Sequence, residues 1–454
     1  MSEELTWAPA WRISELIAAK EISPVEVLEH FLERIEKHQS VLRAFVYLDE
    51  ERSRRDAKEA EAAVLSGDEL GSLHGIPMAV KCHLDIEGAQ QTMPFGNDIA
   101  RRDDPAVQRL RGAGAIVIGH TGMPIFASDG SFDYEATARN PWDPGRTPGI
   151  SSAGSAAALA AGLLPATLGS DGGGSSRIPA AYSGVVGVHP TAGLVPWVDN
   201  KGQTFSDTST IGPTVRDVRD AATVLSVIAG PDGRDQGGLQ VTLPDPGSEL
   251  DLGADGLNLV WTDAFGFALD YAVEESRRVI SHIRDAAFAV HGIGATVEPT
   301  DEPWEDYLDA FKAYSFAGLA SMGLEGMAVS DEAWDDASAL RDRTWQRFRR
   351  LFAEYDLLLS PTIHSVAPTI EVLAERIPSG MALLEHSHGV LGYGTYTAMF
   401  NWLRFPAISV PCGFVDGLPV GLQSVGPPGS DPKILRFAHA FCQAFPQDAR
   451  PPVS

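Results

Sequence analysis

The sequence predicts an α/β fold built around a substantial β-sheet. Three observations predict it. From about Gly75 onward, short apolar runs alternate with helical stretches, which is the pattern of strand, helix, strand in order. Glycine and serine concentrate between Gly145 and Pro190 in two turns that flank one short apolar helix. Finally, 454 residues with 44% hydrophobic and 21% charged content are enough to bury a large core without covalent staples.

Residues 10–65 read as helical. Within them Ser23-Pro24-Val25-Glu26 carries an N-cap serine, proline at the first helical position and glutamate at the third, a capping box. Ile76–Val80 then reads as a buried strand. Asp104-Pro105 opens a helix that ends near Gly112, and Ala115–Gly119 is a second strand. Ser155–Ala161 is an alanine-rich helix, and Pro165–Gly169 leads into the second glycine turn. Residues 235–355 differ, with Pro, Asp and Gly loops followed by long amphipathic helices around 272–290, 304–320 and 332–354. Aromatic residues gather there, among them Trp304, Tyr307, Phe311, Tyr314, Phe316, Trp334, Trp345 and Phe348. They read either as helix-packing core or as a cap over an apolar pocket. Strand patterns return at Asp356–Pro361 and Phe405–Phe414, and a last helix runs near 432–445. The chain divides as one domain: a helical arm (1–65), a catalytic core (66–235), a helical insertion that caps the substrate (236–355) and the remainder of the core (356–454).

Composition excludes several classes. A formal charge of −26 argues against a nucleic-acid surface, which needs clustered Lys and Arg. Three cysteines, Cys82, Cys412 and Cys442, form no disulfide framework, and no Cys/His spacing suits a metal. The first residues lack the order of a signal peptide, and no run of 18 apolar residues exists to span a membrane. A cytoplasmic protein, monomer or homodimer, is expected.

The chemistry concentrates in few residues. The chain has seven lysines, and only Lys81 ends an apolar strand. A lysine held inside loses its charge readily and becomes a competent base. Ser151 and Ser152 lie in the turn Gly149–Gly154, and Ser175 lies in Gly172–Ser176, twenty-four residues after Ser151. One short helix and one strand fit between, so both turns can return to one sheet edge. The competing reading is that these serines merely cap helices. Neither a nucleophile elbow, a P-loop nor a well-placed dinucleotide motif is present, and His83, His120, His189 and His364 have no distinctive setting.

Three segments carry a resemblance: GIPMAVKCHLDIEG (75–88), NPWDPGRTPGISSAGSAAALAAGLLPATLGSDGGGSSRIPAAYSGVVGVHPTAGLVP (140–196) and RFPAISVPCGFVDGLPVGLQSVGPP (404–428). The chain resembles the amidase signature family. That resemblance implies a large mixed sheet flanked by helices in an α/β/α sandwich. It implies a Ser–cis-Ser–Lys triad, with Ser175 as nucleophile, Ser151 as bridging serine and Lys81 as base. The amides of Gly172, Gly173, Gly174 and Ser175 would form the oxyanion hole. Ser152, Ser170, Asp171 and Arg177 would support it, and no cofactor or metal would be needed. The sequence departs from the family pattern at Cys82, Ile150 and Ala153, and in Pro124-Ile125-Phe126-Ala127, all of which bear on pocket shape.

The expected activity is hydrolysis of carboxamide C–N bonds through an acyl-enzyme on Ser175. The insertion aromatics and Tyr393, Tyr396, Phe400 and Trp402 point to bulky or aryl amides as small-molecule substrates. Two alternatives use the same triad: a urethane, carbamate or ester hydrolase, and the A subunit of a glutamyl-tRNA amidotransferase. A non-catalytic binding module would have no need of Lys81, Ser151 and Ser175 together.

Overall fold

The computed structural model describes residues 2–90, 99–123, 125–126, 132–133, 136–198, 208–272, 274–300, 302–321, 328–376 and 394–453. Among these the strands are β1 (Phe45–Leu48), β2 (Pro77–Lys81), β3 (Ile116–Thr121), β4 (Ile125–Phe126), β5 (Phe132–Asp133), β6 (Ala166–Asp171), β7 (Val186–His189), β8 (Thr210–Val215), β9 (Asn258–Trp261), β10 (Thr296–Pro299), β11 (Leu357–Pro361), β12 (Ala407–Val415) and β13 (Leu418–Val425). Eleven of them form one mixed sheet in the order β1-β3-β2-β6-β8-β7-β12-β13-β11-β9-β10, and β4 and β5 pair apart from it. Every residue of β2, β3, β6, β7, β8, β11 and β13 is buried. Strands covered on both faces read as continuous apolar runs, because helices lie above and below them. This is the expected α/β/α arrangement.

The local rules hold where they were strongest. Ser23 Oγ accepts from Glu26 N at 3.1 Å and Glu26 Oε2 accepts from Ser23 N at 2.9 Å, closing the capping box of helix Pro24–Leu42. Asp104 Oδ1 caps helix Pro105–Gly112 through Ala106 N at 2.9 Å. The arm expected to be wholly helical also contains β1, which pairs antiparallel with β3. Its four residues are too short to show an alternation.

The stretch 236–355 holds the expected helices at Ser276–Phe288, Leu308–Ser321 and Asp331–Glu354. It also contributes β9 and β10, which extend the main sheet: β9 pairs parallel with β11, and β10 parallel with β9. Helical periodicity dominates that stretch, so these four-residue strands leave no separate signal. Helix Leu308–Ser321 is apolar on nearly every side rather than amphipathic, with Ala310 and Phe311 buried and Ala313 and Phe316 half-buried.

Two large hydrophobic clusters organise the described residues, beside a small one of Ala156, Leu159, Ala160, Ala180 and Val185. The larger one surrounds the sheet. The second is largely aromatic and gathers Phe265, Trp304, Tyr307, Phe311, Phe348, Tyr396, Phe400, Trp402 and Phe405.

Candidate active site

β2 and β6 run parallel and adjacent, with Val80 opposite Leu168. Each ends in a polar residue at the same sheet edge, Lys81 on β2 and Ser170-Asp171 on β6. Lys81 is 1% exposed. Its Nζ donates to Ser151 Oγ at 2.6 Å, to Ser170 Oγ at 3.2 Å and to Ser170 O at 3.4 Å. Burial pulls its pKa down to about 8, against smaller upward pulls from Cys82 and Asp171. An ammonium deprived of water loses its proton more easily.

Ser151 reaches that position from the turn before helix Ala153–Ala160, and the Ile150–Ser151 peptide is cis. The helix AGSAAALA is buried along its whole length, which its small side chains permit. Arginines hold its far end: Arg34 donates to Ala161 O and Gly162 O, both at 2.9 Å, and Arg216 to Leu159 O at 3.2 Å. Gly149 has φ +107°, and a Cβ there would lie 2.7 Å from Pro179 Cα, so this turn requires glycine. Ile150 and Ala153 are buried beside Ser151.

The second turn follows β6 directly. Ser152 N donates to Ser175 O at 3.1 Å, which ties the two serine turns together, and Ser152 Oγ donates to Ser170 O at 3.3 Å. Ser175 is half-buried. Among the described residues its hydroxyl has no hydrogen-bond partner.

Asp171 organises the loop. Its carboxylate accepts from Gly174 N at 2.6 Å, Ser176 N at 3.2 Å, Arg177 N at 3.3 Å, Arg177 Nε at 2.9 Å and Asn401 Nδ2 at 2.9 Å. Burial alone would raise its pKa, but the Arg177 guanidinium and these donors hold the carboxyl well below the usual carboxylate range. Arg177 is wholly buried and also donates to Gln423 Oε1 at 2.7 Å and Asn401 Oδ1 at 2.6 Å. A buried ion pair is sustained only when such additional bonds satisfy it.

One expectation needs correction here. The resemblance groups Gly174 with the oxyanion donors, but its N–H turns inward to Asp171. The N–H groups of Gly172, Gly173 and Ser175 have no such partner among the described residues.

Several contributors carry no motif. Thr397 Oγ1 donates to Gly173 O at 2.7 Å, and Asn401 bridges Asp171 and Arg177. Asn401 is the lone polar residue of the buried segment AMFNWL, and Gln423 is the largest polar side chain of the buried segment LPVGLQSV. That setting is the signal that could have marked them, since buried polar groups need partners.

Three of the four histidines named above hydrogen-bond to neighbouring groups. His120 Nε2 lies 3.0 Å from Leu84 O, His364 Nδ1 2.8 Å from Ser276 Oγ, and His189 Nδ1 2.7 Å from Thr210 Oγ1. Burial pulls all three down, to about 4, 4 and 3 respectively. The His83 ring packs 5.2 Å from that of Trp197. Cys82 is buried. Among the described residues no cluster of His, Cys, Asp and Glu is placed to hold a metal, and no helix is long and apolar enough to cross a membrane.

The aromatic residues sort differently from their composition. Tyr396, Phe400 and Trp402 are packed in the second cluster and are at most 1% exposed, so they do not line a pocket. Tyr393, and Pro124 and Ala127 of the departing tetrapeptide, lie outside the described residues.

Comparison with known proteins places the chain in a family. The amidase family model matches residues 26–253 and 314–435. The chain belongs to the amidase family. Amidase signature enzymes hydrolyse C–N amide bonds, and the chain is a hydrolase of that type. It is 33% identical to the glutamyl-tRNA(Gln) amidotransferase A subunit of Symbiobacterium thermophilum, over 95% of this chain and 96% of that one. It is 30% identical to an acylamidase of Rhodococcus erythropolis, over 97% and 96%. Its fold is similar to that of a bacterial aryl acylamidase, with a TM-score of 0.82 and 26% identity over 97% of each chain. It is also similar to 6-aminohexanoate cyclic dimer hydrolase, with a TM-score of 0.84 and 27% identity over 99% of each.

Proposed function

We propose that this amidase cleaves carboxamide C–N bonds, preferentially of bulky or aryl amides, through an acyl-enzyme on Ser175. The observation that carries the reading is the buried Lys81, whose Nζ lies 2.6 Å from Ser151 Oγ with its pKa drawn down to about 8. Neutral Lys81 takes the proton of Ser151, and Ser151 takes that of Ser175. Ser175 Oγ then attacks the carbonyl carbon. The N–H groups of Gly172, Gly173 and Ser175 receive the oxyanion, and each such donor contributes roughly 3–4 kcal/mol to the transition state. The proton returns through Ser151 to the departing amine, and water releases the acid. Asp171 and Arg177 hold the loop, and Ser152 and Ser170 position the bridging serine and the lysine.

The test is hydrolysis of a chromogenic aryl amide and a matched aryl carbamate by wild type, Ser175→Ala and Lys81→Ala. Turnover by wild type that is lost in both variants supports the reading, and the amide-to-carbamate ratio separates amidase from urethanase. Turnover retained by Ser175→Ala overturns it.

A second reading is favoured by the 33% identity to an amidotransferase component. In it the same serine releases ammonia from glutamine as part of a complex. Glutamine hydrolysis by the isolated chain exceeding that of aryl amides would favour this second reading.

A further inference from the structure

The family match breaks between residues 254 and 313. That unmatched stretch nevertheless reaches the catalytic loop. Phe311 stands against Gly173 so closely that a Cβ on Gly173 would lie 3.2 Å from Phe311 Cζ and 3.8 Å from Ala398 Cβ. The same face of the loop is anchored by Thr397, whose hydroxyl donates to Gly173 O at 2.7 Å. Tyr307, one helical turn before Phe311, donates to Gly394 O at 2.8 Å and fixes where this helix begins. Phe311 is also the least enclosed ring of this group. It keeps 9% exposure, whereas Tyr307, Phe400 and Trp402 keep none.

The loop therefore has two unlike flanks. Ser151 and buried Ile150 lie on one, beside Lys81. Phe311, Ala398 and Thr397 bound the other. A departing amine must receive its proton from Ser151, so it lies on the first flank. The carbonyl oxygen faces the loop amides. The acyl substituent is left the flank that Phe311 walls.

We infer that Phe311 is a specificity-determining residue that selects the acyl half of the substrate, favouring a flat apolar acyl group such as a benzoyl over an acetyl. This rests on Ser175 being the nucleophile. Phe311 touches no reacting atom, and its effect is confined to which acyl groups fit.

Two substrate series test it in wild type, Phe311→Ala and the conservative Phe311→Leu, each checked by thermal melting. One series holds 4-nitroaniline constant and varies the acyl group from acetyl to benzoyl. The other holds benzoyl constant and varies the amine. The expected result in Phe311→Ala is a fall of about tenfold or more in the benzoyl-to-acetyl ratio of kcat/KM, the scale on which a lost apolar contact discriminates. Phe311→Leu falls between, and the amine series keeps its order. An acyl ratio unchanged within about twofold, or an amine series that shifts instead, overturns the inference.

A measurement that needs no amide turnover runs alongside. Methanesulfonyl and benzenesulfonyl fluoride each form a Ser175 Oγ–S bond as the S–F bond breaks. Fluoride leaves where the amine would, and the serine proton passes through Ser151 to Lys81, so the sulfonyl substituent must occupy the acyl flank. Labelling rates at Ser175, read by mass, should show the same loss of preference for the aryl reagent in Phe311→Ala. Intact labelling without amide turnover would overturn the proposed hydrolysis and leave the wall standing. No labelling of Ser175 in wild type would overturn both.

Discussion

The loop Gly172–Arg177 and the aromatic cluster around Phe348 are neighbours held by opposite means. In the loop nearly every constraint is a directed polar bond: Asp171 alone accepts from three backbone amides, Arg177 and Asn401. In the cluster the constraint is shape. Trp304 stacks on Phe348 at 5.4 Å, Tyr307 on Trp402 at 5.8 Å, and Phe265 sits edge-on to Trp304 at 5.3 Å. The short helix Ala398–Leu403 joins the two, sending Asn401 into the polar knot and Phe400 and Trp402 into the cluster. The difference teaches where chemistry and selectivity can reside. Directed bonds place reacting atoms, while apolar packing can be reshaped without disturbing them.

Substitutions at the reacting atoms should give the largest effect. Ser175→Ala is expected to lower kcat by about 10⁴-fold or more, and Lys81→Met by a similar factor, without adding to each other because the groups act as a unit. Steady-state kinetics of the single and double variants checks this. A double variant that multiplies the two losses would break the idea of one relay.

Asp171→Asn probes the polar knot itself. It leaves the Arg177 charge buried without its partner, a change that costs about 3–5 kcal/mol. Denaturant unfolding should show that loss together with a fall in kcat, because the loop that carries Ser175 loses its anchor. Phe348→Ala sharpens the contrast from the other side. Phe348 is wholly buried, and its truncation should cost about 3–5 kcal/mol of stability. Activity per folded molecule should stay close to wild type. Equal damage to kcat from both variants would erase the distinction between the two regions.

The smallest effect concerns pH. In the proposed relay Lys81 is the base and must be neutral, and its folded pKa is lowered to about 8. The logarithm of kcat/KM should therefore rise with unit slope below about pH 8 and level off above it. The profile measured across that pH checks this, and a flat profile well into the acid side would remove lysine from the role.

Much of the site was legible because its residues break a local rule. Lys81 ends an apolar strand, and the two serine turns place glycines where an element interior would exclude them. Gly174 has φ +118°, a conformation that favours glycine. The supporting residues were not legible in the same way. Thr397, Asn401 and Gln423 reach the loop from more than 200 residues away, and nothing in their local sequence names their partners. The fold divides likewise. The capping box and the strands at β2, β3 and β11 follow from local pattern. The placement of β9 and β10 at the sheet edge depends on pairing between distant segments. The aromatic residues were visible as a group, but only packing separates Phe311, which meets the loop, from Phe400 and Trp402, which do not.

The central claim is that Ser175 carries the acyl group during turnover. The most direct test is to mix the protein with a slowly released aryl carbamate, stop the reaction in acid within the first turnovers, and locate the added mass by peptide mapping. The account predicts one carbamoyl group per chain, on the peptide that contains Ser175, and none on Ser175→Ala. Adduct on another residue, or turnover with no adduct and undiminished in Ser175→Ala, would contradict it.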